Sequence, residues 1–345
     1  MRAVTIAPRS KGSLRLEEVP EPVRGGREVL VETLAVGVCG TDRELIEGHY
    51  GEAPAGQSRL VLGHESLGRV LEAPAGSGLA KGDLVVGIVR HPDPVPCANC
   101  AAGEWDMCRN GRYTEHGIKG LNGFASQFFA MEERMLVKIE KDLGPVGVLL
   151  EPATVLAKAW EHIEHIGRRA KWSPRRVLVS GAGPVGLMGA LMGVQRGLEV
   201  HLQDHNRNEP KPALAKQLGA AYHTGRPQLE FDVEIECSGA PGVIAEMLAA
   251  ATPDRVVCLT GLSPGDHAQG LNIAPFNQAM VLGNQAVFGS VNANRRHYEA
   301  GARALAAADK GWLSKLMTRK VSLDRWQEAY EKHPGDVKTV LVFED

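Results

Sequence analysis

Residues 177–190 read VLVSGAGPVGLMGA, and this stretch decides the fold of the chain's second half. A short apolar run, 176–180, leads into Gly181, Gly183 and Gly186 at the spacing G-x-G-x-x-G, and a helix is expected over 184–196. In such a loop the first glycine permits a tight turn and the second lets the backbone approach a pyrophosphate. The third allows close helix packing, and the helix N-terminus faces the phosphates. Pro184 and Val185 fall inside the same cradle. An acid, Asp204, closes the next strand, 199–203, at about the ~20-residue distance that a ribose-binding carboxylate requires. The glycine pattern alone would equally describe a structural turn; the strand before it, the helix after it and the acid make it a dinucleotide site.

Outward from that motif, strands and helices alternate. Strands are expected at 231–236 and 255–260, helices at 213–217 and 242–251, and this order predicts a doubly wound parallel sheet. The first 150 residues differ. Short β-type runs at 28–38, 68–72, 83–89 and 124–130 are separated by Gly/Pro-rich turns, as in a compact, mostly antiparallel barrel with long loops. A helix is expected over 149–166, with Pro152 tolerated in its first turn. From about residue 298 the chain reads as helical and then ends in a strand, 339–343. The fold class is therefore α/β, with a β-rich domain beside a dinucleotide-binding one.

Length and composition agree with two domains. The chain has 345 residues, 43% hydrophobic and 23% charged, more than one core usually organises. A formal charge of −2 gives no reason to expect nucleic acid or an anionic membrane as partner. No apolar run approaches the roughly 20 residues of a membrane span. The N-terminus lacks the apolar core of a signal peptide, so a cytoplasmic location is expected. Of six cysteines, Cys97, Cys100 and Cys108 cluster while Cys39, Cys237 and Cys258 lie apart, which in a reducing compartment reads as metal binding before disulfide.

Asp204 would hydrogen-bond the ribose hydroxyls and repel a 2′-phosphate, favouring NAD. His205 and Arg207 follow closely, and a cation there would accept the phosphate of NADP; both also fit a solvated loop. Ser238, Gly261 and Asn292 complete the expected cofactor contacts.

Cys39, in the run CGTD (39–42), His64, in GHE (63–65), and Glu151, at the start of the long helix, offer a thiolate, an imidazole and a carboxylate from separated segments. That donor set describes an open catalytic zinc site. Each residue alone has a plainer reading as a small buried residue, a loop histidine or a helix N-terminal acid. Their occurrence together upstream of the glycine motif favours the metal.

The elements CGTD (39–42), LVLGHESLGRV (60–70), KGDLV (81–85), LLEPATV (149–155) and GAGPVGLM (181–188) resemble, in this order, the zinc-containing medium-chain dehydrogenase/reductase family. The resemblance spans nearly the whole chain. It implies a GroES-like catalytic domain over 1–165, to which 300–345 return, and a Rossmann domain over 166–299. It further implies zinc on Cys39, His64 and Glu151, with Glu65 beside the metal, and a homodimer or homotetramer. Zinc lowers the pKa of a substrate hydroxyl and favours hydride transfer to nicotinamide; the Thr41 hydroxyl is placed to receive the proton, or else makes a local turn bond.

The run CANCAAGEWDMC (97–108) suits a structural zinc. Relatives carry a C-x2-C-x2-C-x7-C lobe, and this chain has Pro94 where the first cysteine belongs. Asp93 is the nearer candidate for the fourth ligand, with His91 the alternative.

Three further segments, RYTEHGIKGLNGF (112–124), EPATVLAKAWEHI (151–163) and GSVNANRRHYEAG (289–301), resemble the archaeal-type glucose dehydrogenases within that family. The likeness implies an aldose, D-glucose or also galactose or xylose, oxidised at C1 to the aldonolactone. Glu115 and Asn292 would contact sugar hydroxyls, with Thr41, Glu65 and Glu151 lining the same pocket. A pocket for a pyranose needs such hydrogen-bonding groups rather than apolar walls. Asn292 would alternatively cap a helix near Arg295 or touch the cofactor. A zinc polyol or L-threonine-type dehydrogenase is the alternative of the same class; a zinc-free quinone-reductase-like or NADPH-binding sensor protein is the alternative of another.

Overall fold

The computed structural model describes residues 1–263 and 270–343. Its chain divides into two compact units, Met1–Glu151 with Asn292–Asp345, and Pro152–Val291. Both boundaries lie earlier than the sequence suggests. The helix Leu150–Gly167 belongs, after its first two residues, to the second unit.

The second unit is built on six parallel strands in the order 221–223, 199–203, 176–180, 233–236, 256–259 and 286–289. The order reverses beside 176–180, the topological switch point at which doubly wound sheets bind ligands. The expected strands at 176–180 and 199–203 are present with those bounds. The edge strand Ala286–Gly289 and the helix Ile273–Leu282 were not anticipated. The first bears no alternation of apolar and polar residues, and the second buries none of its ten.

In the first unit the eleven-residue strand Glu28–Val38 organises a seven-stranded sheet. It pairs antiparallel with Glu65–Glu72, Phe128–Glu132 and the late strand Thr339–Val342. Its side chains alternate between the core and a half-exposed face in the first half and are buried throughout in the second, as expected where a strand passes from an edge into the centre. The strand read at 124–130 begins only at Phe128. The preceding loop packs against Leu62 and Gly63, where a Cβ on Gly123 would lie 2.3 Å from both carbonyl oxygens. Among the described residues no helix is long and apolar enough to cross a membrane.

Candidate active site

Cys39 caps the N-terminus of the helix Gly40–Ile46, at the end of the long strand. Asp42, three residues on, accepts the Cys39 backbone N–H at 2.8 Å, the reciprocal arrangement of a capping box. The other Asp42 oxygen lies 3.4 Å from Nδ1 of the buried His64. Neither of these two atoms has another partner. A proton on Nδ1 facing Asp42 leaves Nε2 as a ligand, the orientation that carboxylates impose on metal-binding histidines. The C-x-x-D spacing carried this role for Asp42, which the sequence reading had not assigned.

The ligand atoms of Cys39, His64 and Glu65 lie within 4.8 Å of one another. Glu151 is not one of this tight trio. It is close enough that His64 and Glu65 act on it electrostatically, and burial first, then the Glu65 charge, push its carboxyl up to about 7. Burial opposes the charge on His64, yet the Asp42 carboxylate holds its pKa well above the ordinary value. A thiol, an imidazole, the two buried carboxyls of Asp42 and Glu65 and the half-buried one of Glu151 are set here against the buried Lys338. Such an excess of acid is what a divalent cation relieves, and the donor set suits zinc.

Lys338 is the largest surprise. It is 1% exposed and donates to both Glu65 oxygens, at 2.6 and 2.5 Å, and to the Val38 carbonyl at 3.3 Å. Burial would lower the lysine's pKa, but Glu65 raises it. A Cβ on Gly37 would stand 2.0 Å from Glu65 Oε2, so only glycine leaves room for the carboxylate. No local motif announces either residue.

Glu115 and Asn292 meet. The Asn292 amide donates to Glu115 Oε1 at 2.8 Å, and Arg90 donates to the same oxygen through Nε at 3.0 Å. The Arg90 guanidinium stacks over the Tyr113 ring, 3.8 Å from its centroid. Asn292 adopts φ 61, a left-handed conformation that asparagine tolerates better than most residues. It caps no helix; Asn294 does, accepting from Arg296 N at 3.2 Å. The fully buried Tyr298 phenol donates no proton at ordinary pH, since burial and the carboxylates of Glu151, Glu115 and Glu65 all raise its pKa.

In the second unit Gly181 has φ +94, and a Cβ would meet the Cys237 backbone at 3.1 Å; one on Gly186 would lie 1.7 Å from the Gly181 carbonyl oxygen. At Gly183 nothing stands within 4 Å, open space of the kind a pyrophosphate needs. Pro184 and Val185 begin the helix Pro184–Gln195. Asp204 accepts from Ala182 N at 2.7 Å, from Lys211 Nζ at 2.9 Å and from Asn206 N at 2.8 Å. Although burial works against it, these donors hold its carboxyl below the usual range. His205 is 99% exposed at its side chain, and Arg207 is also exposed. Ser238 and Gly261 are joined through the buried Glu236: Ser238 N donates to its carboxylate at 2.7 Å, and Gly261 N to its backbone carbonyl at 3.1 Å. Glu236 had no sequence signal.

Cys97, Cys100 and Cys108 form a second cluster within 4.8 Å, and all six cysteines are free. Backbone N–H donors from Arg109 and Cys100 pull Cys97 down to about 6, toward the thiolate that binds metal. Asp93 is not one of this trio. Its carboxylate is taken by Val95 N at 2.8 Å and Asn110 Nδ2 at 2.9 Å, and only its backbone N–H faces Cys100. His91 does not join either; its Nε2 lies 3.2 Å from that of His116.

Residues 144–343 match the family described as the glucose dehydrogenase C-terminus, and residues 25–141 the alcohol dehydrogenase GroES-like domain. The chain is 38% identical to a glucose 1-dehydrogenase of Methanocella arvoryzae and 40% identical to one of Thermoproteus tenax, covering 99% of each chain in both pairs. Among solved structures it resembles the Haloferax mediterranei glucose dehydrogenase in complex with NADP, Zn and gluconolactone, with a TM-score of 0.91, 31% identity and full coverage of both chains.

Proposed function

Since the chain belongs to the glucose dehydrogenase branch of the zinc-containing medium-chain dehydrogenases, we propose that it oxidises D-glucose at C1 to gluconolactone. Galactose and xylose are the next substrates by the same chemistry. A bound zinc supplies Lewis acidity toward the C1 hydroxyl, and the nicotinamide is the hydride acceptor.

The chain's own residues do the rest. Cys39, His64, Glu65 and Glu151 would hold the metal, and Asp42 fixes the His64 ring. Glu115 and Asn292 present a charged acceptor and an amide to the sugar hydroxyls, while Thr41 takes the proton. The observation that carries the sugar reading is the Glu115–Asn292 hydrogen bond at 2.8 Å, with Arg90 donating to the same carboxylate oxygen at 3.0 Å. A pocket for an apolar alcohol has no use for such groups.

For the cofactor, NAD is favoured and NADP tolerated. Asp204 supports this: an ionised carboxylate held by three donors repels a 2′-phosphate, while the exposed His205 and Arg207 keep cations nearby. A second, structural zinc on Cys97, Cys100 and Cys108 is part of the same reading. So is a cytoplasmic homodimer or homotetramer. Six free cysteines suit a reducing compartment. The sheet edge Ala286–Gly289 and the exposed Ile273, Val281 and Leu282, at 65%, 64% and 82%, supply an apolar surface for self-association.

Initial rates with D-glucose, D-galactose, D-xylose, sorbitol and L-threonine, with either cofactor and at known zinc content, test the proposal. Reduction with aldoses supports it. Rates with sorbitol or L-threonine alone overturn the substrate and leave the family standing.

A further inference from the structure

The strand Arg90–His91 pairs antiparallel with Thr114–His116, Arg90 opposite Glu115 and His91 opposite Thr114. Two residue pairs are too few to hold a register by themselves, and a slip of one residue would turn Glu115 to the other face. Successive side chains alternate between faces, so Arg90 and Glu115 share one face of this ribbon while His91 and His116 share the other. On that second face Nε2 of His91 lies 3.2 Å from Nε2 of His116, with the ring planes at 70°. His116 Nδ1 meets the Asn122 carbonyl at 2.6 Å. A carbonyl only accepts, so Nδ1 carries the proton, His116 Nε2 is an acceptor and His91 Nε2 is the donor. Burial keeps both rings neutral, as such a bond requires, pulling His91 down to about 3 and His116 to about 4. Asn122 is itself held. Its Oδ1 accepts from Val61 N at 3.0 Å, and Gly123 N and Phe124 N donate to the Val61 and Gly63 carbonyls, each at 2.8 Å. The next residue after Gly63 is His64.

We propose that His91 and His116 are positioning residues for substrate binding, their N–H···N bond registering the Arg90–Glu115 ion pair on the loop that precedes His64. The proposal rests on the reading above that the Glu115 carboxylate holds a substrate hydroxyl. The bond completes a continuous path from His91 to His116, from His116 to Asn122, and from Asn122 to residues 61–63 beside the metal ligand. Arg90 and Glu115 ride on the same two strands, so the carboxylate takes its place relative to His64 from this path. Both imidazoles stand on the far face of the ribbon and act through Glu115.

The bond and its consequence are separately measurable. In zinc-replete protein labelled with 15N-histidine, a 15N–15N coupling should connect the two rings and vanish in His91→Leu. A wild type without that coupling overturns the proposal, whatever its substrate. Kinetics use the alcohol that the wild type oxidises fastest. His91→Leu should raise its KM by roughly tenfold, about the worth of one hydrogen bond, and leave kcat and the cofactor KM within about twofold. His91→Gln, whose amide donates from near the position of Nε2, should recover most of that loss. Glu115→Gln should itself raise the KM, and on that background His91→Leu should cost nothing further, since residues that act as one are not additive. An unchanged KM in His91→Leu, no recovery in His91→Gln, or a further full loss on the Glu115→Gln background overturns the positioning role. A wild-type KM in Glu115→Gln alone overturns the substrate reading of Glu115, and with it the role given to the two histidines.

Discussion

Asn292 donates its side-chain amide to Glu115 across 177 residues of sequence, onto an oxygen that Arg90 already grips at 2.9 Å. The pair is thus a preorganised polar wall: the carboxylate is aimed by two donors and retains lone pairs for a ligand hydroxyl. A hydrogen bond to a charged group is worth about 1.5–3 kcal/mol. Asn292→Ala should therefore lower kcat/KM for glucose by about 10- to 100-fold, chiefly through KM. Steady-state kinetics varying sugar and cofactor separately check this; an effect on the cofactor's KM alone would assign Asn292 to the nicotinamide instead.

Cys39→Ala should remove the catalytic metal and the activity together. Zinc analysis of purified protein should find one equivalent fewer per chain than in wild type. Far-UV circular dichroism should be unchanged, since Cys39 lies outside the apolar core.

At the other thiol cluster Cys100→Ser should also cost one zinc, yet leave kcat near wild type at low temperature while lowering Tm. A metal that ties a loop contributes to folding rather than to chemistry. Equal zinc content in Cys100→Ser and wild type would mean that the lobe holds none.

Asp204→Ala should raise the ratio of NADP to NAD efficiency by about tenfold or more, the equivalent of ~1.4 kcal/mol of relieved repulsion. Lys211 would then be released to face the phosphate, because its partner in the ion pair at 2.9 Å is gone. An unchanged ratio would detach Asp204 from cofactor choice.

The stacked interior around His116 predicts an acid-sensitive fold. His116 lies against Phe124 with ring centroids 4.9 Å apart and bonds the Asn122 carbonyl at 2.6 Å. Burial pulls its pKa down to about 4, and that of His91 to about 3. Below pH ~6.5 the unfolded chain binds more protons than the folded one. Stability is therefore complete above that pH and is lost as pH falls from about 6.5 toward 4. Urea unfolding at pH 7.5 and 5 should show the loss, and His116→Gln should flatten it.

The two halves of the chain were not equally legible. The glycine loop, its strand and its helix are contiguous, so local pattern suffices to place Gly181, Gly186 and Asp204. The metal ligands were legible as residue types in recurring runs. Lys338 was not: it meets Glu65 across 273 residues, and nothing in its neighbourhood of the sequence marks it. Gly37 and Glu236 were hidden for the same reason, since each is required by a side chain or loop that local pattern does not reveal. Proximity of Asp93 to Cys97 in sequence did not reveal that its carboxylate turns to Val95 N and Asn110 Nδ2.

The late strand Thr339–Val342 pairs with the strand Glu28–Val38, and this has a consequence for biosynthesis. The dinucleotide unit is one continuous segment and can fold as it leaves the ribosome, whereas the catalytic unit must hold its early strands unfinished until residues 338–342 emerge. Closing so long a loop is slow, and the waiting sheet edge is open to wrong partners. A product truncated before residue 338 lacks both that strand and the lysine on Glu65.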